Sequence, residues 1–274
     1  MTIDSHVHFW KYNKKRDTWI TNDMKTLKED YLPHSLEPTL RRNGMNGCVA
    51  VQADQSEVET EFYVELAKTY PFIKGVVGWT DLRSDKVSER LEYFSQYPVI
   101  KGWRHVVQGE PSGFLDDANF RRGVDALLPF NYSYDILIYH HQLPGAINFV
   151  DAFPGQRFVI DHCAKPDIRS KELAEWQKNI EVIAQNPDVY CKLSGLFTEA
   201  AWKQWSPADF YPYLDVVFRA FGTDRLMFGS DWPVMLLSGI YVQWKSLIEK
   251  YMETFLDEDK EKVFGLNAIH FYNL

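Results

Sequence analysis

The stretch Ile3-Asp4-Ser5-His6-Val7-His8 combines a short apolar run with two histidines that are one residue apart. Two later segments end in a similar way, Val159-Ile160-Asp161-His162 and Met227-Phe228-Gly229-Ser230-Asp231. Each has the character of a buried strand that stops on a histidine or an aspartate. Imidazoles and a carboxylate at strand ends are typical of a metal site or of a site that activates water.

Short apolar runs recur about every thirty to forty residues, with helix-like stretches between them. The predicted strands are Thr2–Phe9, Cys48–Ala53, Ile73–Trp79, Val99–Val107, Tyr134–His140, Arg157–His162, Val189–Ser194 and Leu226–Asp231. The predicted helices include Glu57–Tyr70, Ser84–Gln96, Ala118–Leu128, Ser170–Gln185, Pro207–Phe221, Ile240–Phe255 and a last helix from Asp257 or Asp259 to about Tyr272. This alternation predicts an α/β fold with parallel strands. We interpret residues 1–274 as a single (β/α)8 TIM barrel rather than a doubly wound open sheet, because no glycine-rich phosphate loop follows the first strand.

Composition and charge exclude certain kinds of partner. The net charge of −8 argues against a nucleic-acid surface, which needs clustered Lys and Arg. No apolar run is long enough to span a bilayer, and the first residues lack the pattern of a signal peptide. Cys48, Cys163 and Cys191 lie far apart and are interpreted as buried thiols in a reducing compartment. We therefore expect a cytoplasmic protein with a small-molecule substrate and no membrane partner, and the sequence leaves open whether it forms a homo-oligomer.

The histidines and the aspartate at the strand ends are the main candidate site residues. Side chains alternate along a strand, so Asp4, His6 and His8 are expected to share one face. Active sites of such barrels lie at the C-terminal strand ends, where the two histidines of strand one are expected to meet His162 and Asp231. Taken singly, each has an ordinary structural interpretation, such as a histidine bonded to the backbone or an aspartate that caps a helix.

Strands four, five and six carry further polar candidates. Arg104 and His105 are consecutive, and alternation does not decide which of them points inward. An arginine there is suited to hold an oxyanion or a carboxylate, although a salt bridge inside the barrel is the structural alternative. Alternation also gives two sets of residues a common face: Ile136, Ile138, His140 and Gln142 in strand five, and Phe158, Ile160 and His162 in strand six. Lys165 and Lys192 are weaker candidates, as readily structural as functional.

Motifs in a fixed order along the whole chain carry a family resemblance. They are Ile3-Asp4-Ser5-His6-Val7-His8-Phe9-Trp10, Asp30-Tyr31-Leu32-Pro33, Val49-Ala50-Val51-Gln52-Ala53, Gly75-Val76-Val77-Gly78-Trp79, Lys101-Gly102-Trp103-Arg104-His105-Val106-Val107-Gln108, Asp161-His162-Cys163-Ala164-Lys165-Pro166, Lys192-Leu193-Ser194-Gly195-Leu196, Phe228-Gly229-Ser230-Asp231-Trp232-Pro233 and Phe264-Gly265-Leu266-Asn267-Ala268. With these motifs the chain resembles the amidohydrolase superfamily, and more closely its sugar-lactonase branch. That branch includes L-fuconolactonases, L-rhamnonolactonases and, more distantly, 2-pyrone-4,6-dicarboxylate lactonases.

The resemblance implies a hydrolase that opens a sugar-acid lactone by attack of water. It implies Asp231 as the general base, with His6, His8 and His162 as further catalytic residues. The same four residues are the implied ligands of a single divalent ion, zinc or similar. The resemblance also places Arg104 and His140 in the site. We expect these two residues, together with Gln142 and Lys165, to bind the substrate. Strand four has Arg104-His105 where binuclear members have a carboxylated lysine or a glutamate, so we expect one metal ion or a metal-independent enzyme.

Two other functions compete with lactone hydrolysis. The first is a decarboxylase of the same superfamily that acts on an unsaturated or aromatic acid, because such enzymes also use strand-one histidines, a later histidine and a strand-eight aspartate. The second is a barrel that binds a sugar acid without catalysis. A free carboxylate base at the strand ends disfavours the second, since a binding protein has no need of one.

Overall fold

A single sheet of eight parallel strands, in the order β1 to β8, organises the computed structural model, which describes residues 1–274. The strands are β1 Ile3–Val7, β2 Gly47–Val51, β3 Ile73–Gly78, β4 Ile100–Val106, β5 Ser133–Leu137, β6 Phe158–Ile160, β7 Val189–Leu193 and β8 Leu226–Phe228. Every predicted strand overlaps an observed one. Each neighbouring pair is parallel with helices in the crossovers, which confirms the predicted (β/α)8 barrel.

The helices surround the sheet. They are α1 Pro33–Arg42, α2 Glu57–Thr69, α3 Val87–Ser95, α4 Ala118–Asp125, α5 Leu143–Asp151, α6 Ala174–Ile183, α7 Leu196–Glu199, α8 Tyr211–Phe221, α9 Tyr241–Tyr251, α10 Asp257–Glu261 and α11 Asn267–Tyr272. A π-helical segment, Lys262–Leu266, joins the last two into the predicted final helix. The helices α1 and α5 were not predicted, because prolines lie within or at the start of each and weaken the helical signal. None of these helices has the length and apolar character needed to cross a membrane.

The two faces of the sheet bury two different clusters of apolar side chains. The inner cluster contains Ile3, Val49, Val51, Val77, Val159 and Met227. The outer, larger cluster lies between the strands and the helices and includes Val7, Ala50, Val76, Trp103, Tyr134, Ile136, Phe158 and Ile160. Strands buried on both faces explain why the sequence shows continuous apolar runs rather than alternation of apolar and polar residues.

The barrel closes between β1 and the segment that follows β8. The backbone N–H of Asp231 donates to the carbonyl of His6 at 2.9 Å, and that of His8 donates to the carbonyl of Trp232 at 2.7 Å. The pairing of β1 with β2 shifts register between Asp4 and Val7, so strict alternation fails there. The expectation that Asp4 shares a face with the histidines is therefore wrong. Its carboxylate accepts the backbone N–H of Ser230 at 2.9 Å instead and helps to close the barrel.

The C-terminal helix covers the end of the barrel that lies opposite the strand C-termini. Phe271 and Tyr272 belong to the inner apolar cluster. The hydroxyl of Tyr272 donates to Asp135 Oδ2 at 2.8 Å, and both residues are buried. The last helix therefore reaches a charged residue inside the barrel.

We expect Tyr272→Phe to lower the free energy of unfolding by about 1–3 kcal/mol, because it removes a hydrogen bond from a buried carboxylate. Urea denaturation measures this loss. Tyr134→Phe is the matched control, since the buried hydroxyl of Tyr134 has no hydrogen-bond partner and its removal should be close to neutral. Equal stability of the Tyr272→Phe protein and the parent would contradict the role given to this contact.

Candidate active site

Three imidazoles surround one oxygen of Asp231 at the C-terminal ends of the strands. Asp231 Oδ1 lies 3.2 Å from His8 Nε2, 3.8 Å from His162 Nε2 and 3.9 Å from His6 Nε2. The Nε2 atoms of His6 and His8 are themselves 3.2 Å apart. All four side chains are almost fully buried. The four residues proposed from the strand ends therefore converge on one point.

The backbone after β6 brings two consecutive polar side chains into the site. Asp161 follows Val159 on the inner face, and alternation would then turn His162 outward with Phe158 and Ile160. His162 instead begins a run of four residues with positive φ that ends at Lys165, and this turn directs its ring to the barrel mouth. The predicted common face of these three residues is therefore wrong, since Phe158 and Ile160 pack in the outer core.

Gly195 gives the ring of His162 its space. Its φ is +65°, and a Cβ at this position would lie 2.4 Å from His162 Cγ. On its other side the ring is fixed by Ser194, whose Oγ lies 2.8 Å from His162 Nδ1. The Ser194-Gly195 pair after β7 thus sets the position of a histidine that belongs to the loop after β6.

A network of buried charges supports the site from inside the barrel. Arg104 donates to Asp161 Oδ2 at 2.9 Å and also to the carbonyl of Gln52. Lys192 Nζ lies 2.9 Å from Asp161 Oδ1 and 3.1 Å from His6 Nδ1, and it also donates to Asp135. Each cation is paired with a carboxylate, as burial of charge requires.

The structure shows which residue of the Arg104-His105 pair in β4 points into the barrel. Arg104 points inward, and its NH1 atom lies 3.3 Å from His6 Nε2. His105 points outward, where its ring stacks on Phe114 and its Nε2 lies 2.8 Å from a Glu110 carboxylate oxygen. Arg104 is therefore the residue of this pair that belongs to the site.

Sequence reasoning missed Asp135 and Asp161 as site-supporting residues and ranked Lys192 low. Their signal was present in the sequence, because a charged residue stands in the middle or at the end of each of three apolar strands. The sequence does not show which of these charges pair with one another, because Asp135 lies in β5, Asp161 follows β6 and Lys192 lies in β7. Only the barrel makes these strands neighbours.

The remaining predicted residues follow β5 and β6 at the rim. His140 is partly buried, and its Nδ1 lies 3.0 Å from the carbonyl of Lys165. Gln142 accepts the backbone N–H of Tyr139 and donates to the carbonyl of Val107, so the backbone uses both ends of its amide. The face predicted for β5 is not the inner one, because Ile136 and Ile138 pack in the outer core.

Burial keeps the imidazoles of His6 and His162 neutral, and nearby charges keep Asp231 ionised. Desolvation lowers the pKa of His6 well below its ordinary value and lowers that of His162 to about 4. Burial alone would raise the pKa of Asp231, but nearby positive charge, that of the Lys165 ammonium included, outweighs burial and holds it below its ordinary value. The site at neutral pH therefore presents a carboxylate beside the neutral imidazoles of His6 and His162.

The amidohydrolase family model matches residues 3–274, almost the whole chain. The chain belongs to the amidohydrolase family. Curated relatives include an L-fucono-1,5-lactonase from Burkholderia multivorans, which is 38% identical over 100% of this chain and 96% of that protein. An L-fucono-1,5-lactonase from Burkholderia ambifaria is 34% identical over 99% of this chain and 95% of that protein. The chain is therefore an enzyme of the hydrolase class.

A crystal structure of a related amidohydrolase from Burkholderia multivorans contains bound zinc. It is 38% identical to this chain, covers 100% of it and 99% of its own length, and superposes with a TM-score of 0.97. Such a score means that the two amidohydrolases share the same barrel and the same order of elements.

The donor set of this amidohydrolase fits a divalent ion. The carbonyl of Val51 lies 2.7 Å from His8 Nδ1 and accepts its proton, so His8 Nε2 carries a lone pair. That lone pair faces the Asp231 carboxylate, and two acceptors at 3.2 Å repel each other unless a cation lies between them. Nitrogen ligands of tetrahedral zinc are roughly 3.4 Å apart, given zinc–ligand bonds of about 2.1 Å. The ligand atoms of His6, His8 and Asp231 lie 3.2–3.9 Å apart, close to this spacing. His162 belongs to a second group that could hold an ion, together with His6 and Asp161.

We expect Gly195→Ala to reduce hydrolase activity on the order of a hundredfold, because the added methyl group displaces the ring of His162. Gly155→Ala is the matched control, since Gly155 also has a positive φ, +82°, but no atom lies within 4 Å of the added Cβ. Circular dichroism verifies that both variants fold. Full activity of Gly195→Ala, or an equal loss in Gly155→Ala, would contradict this account of the His162 position.

Proposed function

We propose that this amidohydrolase opens the ring of a sugar-acid lactone of the L-fucono-1,5-lactone type by adding water to the ester. One observation carries the proposal: a buried, ionised Asp231 lies beside His6, His8 and His162 at the mouth of the barrel, and burial keeps His6 and His162 neutral. The two relatives above 30% identity are both named L-fucono-1,5-lactonase, which supports this substrate class.

Asp231 acts as the general base. Its Oδ1 faces the imidazoles, while its Oδ2 makes no hydrogen bond to the protein and is available to a water molecule. The carboxylate accepts a proton from the water as the water oxygen bonds to the carbonyl carbon. It then returns this proton to the ring oxygen as the ester C–O bond breaks, and the product is a hydroxy acid.

A divalent ion held by His6, His8 and Asp231 supplies a Lewis acid that polarises the lactone carbonyl. The guanidinium of Arg104 lies beside His6 and adds positive charge next to the developing oxyanion. His162, fixed by Ser194, orients the water against the carboxylate. An ester is already more reactive than an amide, so these groups form a sufficient electrophilic site.

Lys165 and His140 are proposed to hold substrate hydroxyl groups at the rim. Gln142 has a different proposed role, because its two bonds to Tyr139 and Val107 fix the loop after β5 against the end of β4. The cytoplasmic location and the oligomeric state remain sequence-based predictions.

We expect Asp231→Asn to lower kcat for L-fucono-1,5-lactone by about two to four orders of magnitude, because the amide cannot accept the proton of the water. Asp257→Asn is the control, since the Asp257 side chain is 97% exposed on α10. Proton release from a panel of aldonolactones measures the rate, and the same panel includes aromatic acids with detection of carbon dioxide. Near-parental rates for Asp231→Asn would refute the role of Asp231 as the general base. Release of carbon dioxide from the aromatic acids, without opening of any lactone, would favour the alternative decarboxylase function.

We expect the purified protein to bind one equivalent of zinc per chain, and His8→Ala to weaken this binding by more than about a hundredfold. Competition with a chromophoric chelator measures the affinity without any assay of activity. His34→Ala is the control, because His34 lies exposed on α1 and belongs to neither group of residues that could hold an ion. Zinc binding that survives in His8→Ala, or that His34→Ala weakens equally, would rule out the proposed ligand set.

A further inference from the structure

A cavity of about 340 Å³ opens at the rim beside the proposed substrate-binding residues His140 and Lys165. Its walls come from the loops after β5, β6 and β7: Tyr139, His140, His141, Lys165, Asp167 and Glu199. Lys165 Nζ lies 3.1 Å from Glu199 Oε1, and both side chains are less than one-fifth exposed. Lys165 ends the left-handed turn that begins at His162, so the cavity adjoins the loop that carries this active-site histidine.

The position of Glu199 is fixed by its own contacts. The Glu199 carbonyl accepts the backbone N–H of Arg169 at 3.0 Å, and Glu199 Oε1 lies 3.2 Å from the Thr198 hydroxyl. Burial alone would lower the pKa of Lys165, but Glu199 and Asp231 outweigh burial and raise it. Lys165 therefore remains an ammonium at neutral pH, held against the Glu199 carboxyl group.

The charges of the cavity leave no cation free for an anionic ligand. Lys165 is the only lysine or arginine in its walls, and it is paired with Glu199, while a second carboxylate, Asp167, also lines the cavity. A hydrogen bond from Ser170 lowers the pKa of Asp167, which keeps it ionised. Deeper in the barrel, Arg104 forms a salt bridge with Asp161, and Lys192 forms one with Asp135.

We propose that Glu199 is a specificity-determining residue that masks the charge of Lys165, so that the cavity accepts a neutral, polyhydroxylated lactone and releases its anionic product. This inference rests on the proposed lactone hydrolysis and defines its substrate class more narrowly. Lactones that carry carboxylate groups are disfavoured, because no unpaired cation at the rim binds them.

The chemistry of the reaction explains why such masking is useful. Hydrolysis breaks the ring ester, adds one water and yields a carboxylic acid, which loses a proton to solvent and becomes an anion. A bare ammonium at the rim would attract this anion more than the neutral lactone and would slow its release. The paired ammonium still has two N–H groups for substrate hydroxyls, because Glu199 uses one of its three.

Product inhibition by L-fuconate tests the proposal. We expect Glu199→Gln to lower the inhibition constant of L-fuconate on the order of tenfold, while KM for L-fucono-1,5-lactone changes less than about threefold. The gain should shrink in high salt, because it arises from charge at a partly solvated site. The double variant combines Glu199→Gln with Lys165→Gln. In this variant the ratio of the inhibition constant of L-fuconate to KM for the lactone should return to the parental value.

Glu249→Gln is the matched control, since it removes the same charge from another lysine–glutamate pair, Lys245 and Glu249 on the outer helix α9. An unchanged ratio of inhibition constant to KM in Glu199→Gln would overturn the inference and leave lactone hydrolysis standing. An equal change in Glu249→Gln would also overturn it. A parent protein that opens no lactone of the panel would instead refute the proposed function itself.

Discussion

Two backbone hydrogen bonds close the barrel and, in doing so, assemble the active site. They join Asp231 to His6 and His8 to Trp232, so the residues that join the first strand to the last segment are also catalytic candidates. Their register decides which side chains face one another. A slip of one residue would turn the histidines of β1 away from Asp231, and no local rearrangement could restore the contact. The site therefore depends on the closure of the whole fold.

The charges below the site explain how this arrangement is kept rigid. Asp135, Asp161, Lys192 and Arg104 are buried, and isolated charges of this kind are strongly unfavourable. Their mutual pairing offsets the desolvation, and it also leaves Arg104 and Lys192 in one position each beside His6. The apolar inner cluster fills the lower barrel, and the polar network occupies the layer between that cluster and the mouth.

Sequence patterns predicted those features of the fold and the site that follow from the short-range periodicity of apolar residues. The eight strands, the last helix and the strand-end positions of His6, His8 and Asp231 follow from apolar runs and barrel topology. Patterns failed where the backbone departs from alternation, at the register shift after Asp4 and at the left-handed turn that begins at His162. The partners of Lys192 and Glu199 could not be predicted, because those contacts join separate strands and loops.

The central claim is that histidines of the first strand and the aspartate after the last strand hold one cation between them. Zinc K-edge X-ray absorption on the protein loaded with one equivalent of zinc tests this claim most directly. The account predicts a shell of two imidazole nitrogens and at least one oxygen at about 2.0–2.1 Å. A shell that contains sulfur at about 2.3 Å, or one without imidazole scattering, would contradict it.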